Sequence, residues 1–402
     1  MRIVVTGIGV VSPNGIGKEQ FWQNCAAGVS GIKPITLFDT SEFRCHWAGE
    51  ISNFQPEQYL GSTKGLRNLD RTTLLSIVAA KLAIDDAHLE ITPDNCHDIG
   101  VVLGSTMGSV KSISDFDIQG LREGPRSVNP ALFPNTVINS PASHVAIRFG
   151  LRGLNSTIST GFTASHDAIG YAMDMLQLGR VKTLLVGGVE ELCLQTFLGF
   201  YKVGMLARRR QEVEAPRTLD DLRQGTLLGE GSAFLVLESS ESAQARGAHV
   251  LAELLAYASL FHSAGFLKYD CNGTGLTLAI RDALARAQLT AENVGEVSGS
   301  ANGIKRWESS ELAGIREAIG ERSVQSVKNL IGESFSAGGA VQMAASIGVS
   351  SRKAVHALAG GSDQNESYLS TASGQTNAGQ DKAAQMMTGI GPTGVSAAIV
   401  WC

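Results

Sequence analysis

The sequence predicts an α/β fold of stacked layers made of two similar halves, and three observations predict it. Short apolar, β-branched runs recur along the chain, among them Ile99-Gly-Val-Val-Leu-Gly104 and Thr183-Leu-Leu-Val-Gly-Gly-Val189, with the composition of strands buried on both faces. Between them lie segments with apolar residues at helical spacing, such as Leu74, Leu75, Val78, Ala79 and Leu82 within Asp70–His88. The same alternation continues past Val250, in a chain of 402 residues that is long enough for a duplicated unit. The expected division is 1–249 and 250–402.

In order, Arg2–Val11 reads as a buried strand, Pro13-Asn-Gly-Ile-Gly17 as a turn and Gln20–Ala27 as a short helix. After the helix Asp70–His88 and the strand Ile99–Gly104 comes Ser105–Phe116, rich in glycine and serine. Phe133–Pro141 reads as a loop leading into a helix through Val145. A short strand through Thr157, Ile158 and Thr160 then turns at Gly161 into a helix with Ala164, Ala168, Ile169, Ala172, Met173 and Leu176 on its apolar side. The strands Thr183–Val189 and Leu228–Leu237 and the helix Ser242–Arg246 complete the first part. The second part alternates likewise, through strand Val250–Tyr257, helix Thr277–Ala287, a strand near Val297, helix Glu311–Ala318 and strand Val395–Trp401. Ser373–Met387, with its Gln, Asn, Ser and Gly, reads as an exposed loop.

Composition narrows the function class. Hydrophobic content of 43%, charge of 18% and 46 glycines suit a globular α/β protein, and a net charge of −5 argues against nucleic acid as a partner. The six cysteines are scattered without CxxC spacing, as expected of reduced core thiols. No apolar run has the length of a membrane span, and the N-terminus is strand-like at once, so a cytoplasmic protein without membrane contact is expected. His46, His88, His97, His144, His249, His262 and His356 form no i, i+4 pair, and no metal or other cofactor is expected.

The turn at Gly161 is where chemistry is expected. A strand entering a buried helix start presents free N–H groups and a helix dipole that favour a thiolate or an oxyanion. The residue placed there is Phe162, which cannot act as nucleophile, acid, base or ligand. Ser165, His166 and Asp167 follow, but adjacent helical positions point in different directions and there is no GxSxG elbow. Gly229-Glu-Gly231 precedes a strand rather than a helix and is no phosphate loop.

Several blocks resemble the β-ketoacyl-acyl-carrier-protein synthase family of the thiolase fold: Val5-Thr-Gly-Ile-Gly-Val-Val-Ser-Pro-Asn-Gly15, Gly124-Pro-Arg126, Phe133-Pro-Asn-Thr136 with Gly150-Leu-Arg-Gly153, Arg217–Gly231, Lys328 with Ser336-Ala-Gly-Gly-Ala340, and the last strand. They span almost the whole chain in family order. The resemblance implies a thiolase-like five-layer αβαβα fold of two similar halves that dimerises through the first. It also places the family's acylated cysteine at Phe162 and its two histidines at Ser300 and Glu333. The family's lysine is kept as Lys328, its later glutamate is Gln342, and its phenylalanine gate is Ile390. Claisen condensation needs a thiolate and donors for the enolate. Phe162 removes the first, and an ionised Glu333 in place of a donor would repel the developing enolate.

This pattern is similar to the chain-length factors, the ketosynthase β subunits of type II polyketide synthases. The resemblance implies a catalytic ketosynthase subunit as heterodimer partner and an acyl carrier protein that delivers the units. Aromatic-polyketide members usually carry Gln at the cysteine position, so Phe162 points to another branch, such as aryl polyene or anthraquinone synthases. By the same resemblance Val110, Ile113 and Phe116, with Phe133 and Ile138, line the subunit interface and its tunnel, where Phe116 and Phe133 are the candidate stops; simple dimer packing is the alternative. Lys328 is expected to pair with Glu308 or Glu333. Arg208-Arg-Arg210 is a solvated loop or a docking site for an acidic carrier protein. Two other readings stay open: an acyltransferase using Ser165 or Ser300 as nucleophile, and a homodimeric acyl-binding protein.

Overall fold

The computed structural model describes residues 1–207, 225–263, 270–352, 384–392 and 394–402. Its main sheet runs from edge to edge through Val324–Gln325, Val294–Ser298, Ala384–Ile390, Val395–Trp401, Ala252–Phe261, Ile3–Ser12, Gly231–Ser239, Thr183–Glu190, Ile99–Gly104 and Asn155–Ile158; Gly15–Ile16 folds back on Ile3–Ser12 as the eleventh strand.

The duplication is plain in the pairing. From Ile3–Ser12 outward the partners are antiparallel, antiparallel, parallel and parallel. From Ala252–Phe261 outward the same sequence of pairings repeats. The two sets of five strands meet where Ile3, Val4 and Val5 pair antiparallel with Leu254, Glu253 and Ala252.

Helices fill the remaining layers. Ala164–Gln177 and Ala337–Arg352 lie in the middle, touching strands of both sets, and their apolar residues belong to one core with Val5, Leu235, Met387 and Ile399. Arg71–Asp86 and Ser140–Phe149 cover the outer face of the first set; Thr274–Ala287 sits on the second and carries Lys305–Ile319 packed against it. Asp70 caps the first of these by accepting the Thr73 N–H at 2.8 Å. That helix lies against Ile3–Ser12 so closely that a Cβ on Gly9 would come within 2.0 Å of the Ala79 carbonyl oxygen. The glycines of Val5-Thr-Gly-Ile-Gly9 are therefore packing residues.

Most expected elements are present, and the helix expected at Glu311–Ala318 is longer, at Lys305–Ile319. One expectation is corrected. Ser373–Met387 is not an exposed loop throughout, because Ala384–Met387 opens a strand pinned between Val294–Ser298 and Val395–Trp401. Its Gln and small residues hid that burial from a composition-based reading. Residues 373–383 and Arg208–Arg210 lie outside the described residues. No helix among the described residues is long and apolar enough to cross a membrane.

Candidate functional site

The elbow forms where the edge strand Asn155–Ile158 ends. Gly161 takes φ +81°, a conformation glycine adopts without strain, and the turn Gly161–Thr163 feeds directly into the helix Ala164–Gln177. The elbow is braced from its own helix. The Asp167 carboxylate accepts from the hydroxyls of Thr160 and Thr163 and from the Tyr257 phenol of the other strand set. Burial and the Asp167 charge push the Tyr257 phenol well above its ordinary range.

Phe162 is buried, 4% exposed, in a nest of rings. Its centroid lies 5.0 Å from Phe335, 5.3 Å from Trp307 and 6.0 Å from Phe200, and Phe200 and Phe335 are 4.9 Å apart. Phe335 reaches this nest from an unusual backbone, with φ +49°. The Glu333 carboxylate holds it there, accepting the Phe335 N–H at 2.9 Å on Oε1. The other oxygen, Oε2, accepts from Lys328 Nζ and from Asn302 Nδ2, each at 2.8 Å. Lys328 and Glu333 are thus a closed, buried ion pair. Glu308 instead accepts the Gly303 N–H at 2.8 Å.

Ser300 is equally enclosed. Its N–H donates to both oxygens of Glu311 at 2.9 and 3.0 Å, its hydroxyl donates to Glu311 Oε1 at 3.0 Å, and it accepts the Ile390 N–H at 3.3 Å. The Thr388 hydroxyl donates to the same carboxylate oxygen at 2.6 Å. Gln342 spans the two strand ends by donating Nε2 to the carbonyls of Ser298 at 2.6 Å and Thr388 at 3.0 Å, while its Oε1 finds no partner among the described residues.

Ser165 and His166 do not form a dyad. The Ser165 hydroxyl oxygen accepts the Ala340 N–H at 3.0 Å, and the His166 imidazole faces the Thr388 backbone without a well-formed hydrogen bond among the described residues. The imidazole is clamped between glycines: a Cβ would sit 2.4 Å from Nδ1 at Gly339 and 2.6 Å from the ring at Gly389. Burial, with the Lys328 charge nearby, pushes its pKa down to about 3. Among the described residues, no group of three or more His, Cys, Asp or Glu could hold a metal ion.

The structure therefore draws Phe162, Ser300, Glu333 and Lys328, widely spaced in sequence, into one dry region around the elbow. Phe162 is the buried aromatic plug at the helix start that the sequence leads one to expect, and only its ring partners escaped that reading. Nothing in the local pattern at Phe200 or Trp307 signals that their rings meet Phe162. Asn302 and Phe335 were legible only as neighbours of Ser300 and Glu333.

The interface candidates form a second group, on the surface. Val110, Ile113 and Phe116 lie on the helix Val110–Glu123, which has a pronounced apolar side, yet none of its 14 residues is buried. Phe116 meets Phe133 at 6.0 Å between centroids. Ile138 rests over Gly108, where a Cβ would approach it to 3.3 Å. Phe133 is 56% and Ile138 38% exposed, with Ile118 and Leu121 exposed beside them. Among the described residues the edge strand Asn155–Ile158 pairs on one side only, with Ile99–Gly104.

Comparison with known proteins places this geometry. Residues 1–243 match the family model for the β-ketoacyl synthase N-terminal domain and 251–361 that for its C-terminal domain. The chain is 34% identical over 348 residues to 3-oxoacyl-[acyl-carrier-protein] synthase 2 of Vibrio cholerae, covering 85% of this chain and 84% of that one. It is 32% identical over 352 residues to the synthase of the same name from Synechocystis, covering 86% and 84%. The solved ishigamide ketosynthase/chain length factor superposes over 100% of this chain and 98% of its own, with a TM-score of 0.82 at 28% identity. The chain belongs to the β-ketoacyl synthase family and has its thiolase-like ketosynthase fold.

Proposed function

We propose that this chain is a non-catalytic chain-length factor, the partner of a catalytic ketosynthase in a type II polyketide synthase. The observation that carries the reading is Phe162 at the elbow, buried among Phe200, Trp307 and Phe335. A thioester at this position has neither a sulfur to form it nor space to occupy. The neighbouring positions argue the same way. Glu333 is spent on Lys328, Asn302 and the Phe335 amide, and Ser300 on Glu311. Among the described residues, the Ser300 hydroxyl and the Lys328 ammonium, the donors at these positions, are already engaged by Glu311 and Glu333.

In this reading residues 1–249 carry the interface and the degenerate elbow, and 250–402 supply the wall that closes it. Val110, Ile113, Phe116, Phe133 and Ile138 become buried against the ketosynthase subunit and line the passage for the growing acyl chain. The support is that a strongly amphipathic helix with no buried residue needs a covering surface. The short edge strand Asn155–Ile158 offers main-chain pairing as well. The likeness to a ketosynthase/chain length factor supports the kind of partner, and the names of the curated relatives support an acyl carrier protein as the donor. Chain length would follow from the bulk of Phe116 and Phe133, because packed interiors leave little slack.

The test is co-expression with the ketosynthase encoded nearest to it, followed by size exclusion and intact-mass analysis after loading with acyl- and malonyl-carrier protein. A one-to-one complex acylated only on the partner is the expected result. Acylation of this chain would overturn the reading and make an acyltransferase using Ser165 or Ser300 the one to pursue.

A further inference from the structure

The helix Val110–Glu123 buries none of its residues, so little of its own packing fixes where it lies. Its N-cap residue, Ser109, makes no side-chain capping bond. A first-turn N–H is capped from another element instead: the Glu191 carboxylate, beside the end of strand Thr183–Glu190, accepts the Lys111 N–H at 3.1 Å. The turn before the helix rests on Glu190. Its Oε1 accepts the N–H groups of Thr106 and of Met107, the latter at 3.0 Å, and the Ser105 hydroxyl lies 3.4 Å away. Both acids are buried, and each of these contacts is a donor turned toward a carboxylate. The helix is placed from its start.

The same turn is tied to the elbow. The Thr106 hydroxyl donates to the Gly161 carbonyl at 2.7 Å, and the Ser105 N–H donates to the Ile158 carbonyl at 3.0 Å. Gly161 is the residue before Phe162. The Glu190 oxygen that holds Thr106 and Met107 also accepts the Ser336 hydroxyl at 2.6 Å, and Ser336 is the residue after Phe335. The two supports of the turn are therefore the chain neighbours of the two rings that meet at 5.0 Å in the plug. Phe335 is pinned in turn by the Glu333 carboxylate on its N–H. A nest of rings packed as tightly as a protein interior has little freedom to shift. It fixes the spacing of Gly161 and Ser336, and through them the turn.

We propose that the aromatic plug is a strut for the interface: Phe162 and Phe335 hold Gly161 and Ser336 in place, and Thr106, Glu190 and Glu191 pass that position on to the start of the helix Val110–Glu123. Filling the elbow then does more than exclude a thioester. It preforms the face that the ketosynthase subunit covers, and a preformed face binds at a lower ordering cost. Glu190 and Glu191 are positioning residues, buried and acting through the turn. The role in binding rests on the chain-length-factor reading. The rigidity of the turn does not, since it is a property of the isolated chain.

Hydrogen exchange of the isolated full chain tests the strut by comparing two cavities. Phe162→Ala empties the nest, and Ile280→Ala opens a fully buried position on the helix Thr274–Ala287, which sits on the second strand set. Exchange of peptides covering 105–116 should rise at least about tenfold in Phe162→Ala and stay near wild type in Ile280→Ala, although both lose overall stability. Ser336→Ala removes one support of the turn without opening the nest and should raise it about fivefold; it decides if Phe162→Ala does not fold. Unchanged exchange at 105–116 in the folded variants of Phe162 and Ser336, or an equal rise in Ile280→Ala, would overturn the strut. Against a ketosynthase subunit that binds the wild-type chain, Phe162→Ala and Ser336→Ala should each weaken the complex at least about threefold, and Ile280→Ala should not. A loosened turn with unchanged affinity would overturn the role in binding. If the wild-type chain binds no ketosynthase, the chain-length-factor reading fails, and exchange in the isolated chain still decides the strut.

Discussion

The Lys328 ammonium donates to Glu333 at 2.8 Å with side-chain exposures of 4% and 0%, and the same carboxylate holds the Phe335 amide in its left-handed turn. One residue thus neutralises a buried cation and seats an aromatic plug. Removing one partner leaves the other charge stranded, which costs about 3–5 kcal/mol. Glu333→Ala should therefore lose about that much stability in chemical denaturation. The double variant Lys328→Met/Glu333→Leu should lose less than the two single changes added together, because no charge is left behind.

Phe162 invites a direct replacement. Phe162→Cys places a sulfur at the elbow, but Phe335, Phe200 and Trp307 still wall it and the Glu333 carboxylate stays on the Phe335 amide. The variant should show no condensation of malonyl- with acyl-carrier protein, and detectable product would sink the plug argument. Phe162→Ala, which empties the nest, should cost about 3–5 kcal/mol by the same denaturation measurement.

Phe162, Ser300 and Glu333 could be singled out because strand, glycine turn and helix form a local pattern and the resemblance to the family blocks gave an expected register. Lys328 could be narrowed to two partners, and only the fold chose Glu333 over Glu308. The duplication was invisible as a sequence repeat yet is unmistakable in the strand pairing, since pairing depends on register and not on side-chain identity. The strand Ala384–Ile390 was missed because burial between two strands tolerates Gln and small residues that read as loop. The ring nest was missed because it is assembled from helices and turns far apart in sequence.

His166 makes the fold sensitive to acid. Its pKa is near 3 in the fold and near 6.5 when unfolded, so the neutral ring is the folded form. The stability this represents is complete above pH 6.5 and is lost as pH falls toward 3, by up to about 1.4 kcal/mol per pH unit. The buried carboxylates Glu190 and Glu191 add a pH dependence of their own, so the wild-type curve alone is uninformative. The difference between wild type and His166→Leu isolates the term. It should shift in favour of the variant between pH 6.5 and 4.5, and a difference that stays constant with pH would refute the assignment.

Phe116 and Phe133 separate folding from assembly. They touch each other at 6.0 Å, but Phe133 is more than half exposed and the helix carrying Phe116 buries none of its residues, so neither ring supports the core of the isolated chain. Phe116→Ala and Phe133→Ala should each change its stability by less than about 1 kcal/mol. If a ketosynthase subunit covers this face, the same rings become buried aromatic contacts, whose truncation costs about 2 kcal/mol or more, roughly a thirtyfold weaker complex. Titration of each variant with the co-purified partner checks this. Unchanged affinity for both would remove these residues from the interface, whatever the complex proves to be. If affinity falls, the products of the surviving complex decide the tunnel role: longer chains from Phe116→Ala are expected if its ring is a stop, and unaltered chain length would leave it a packing contact alone.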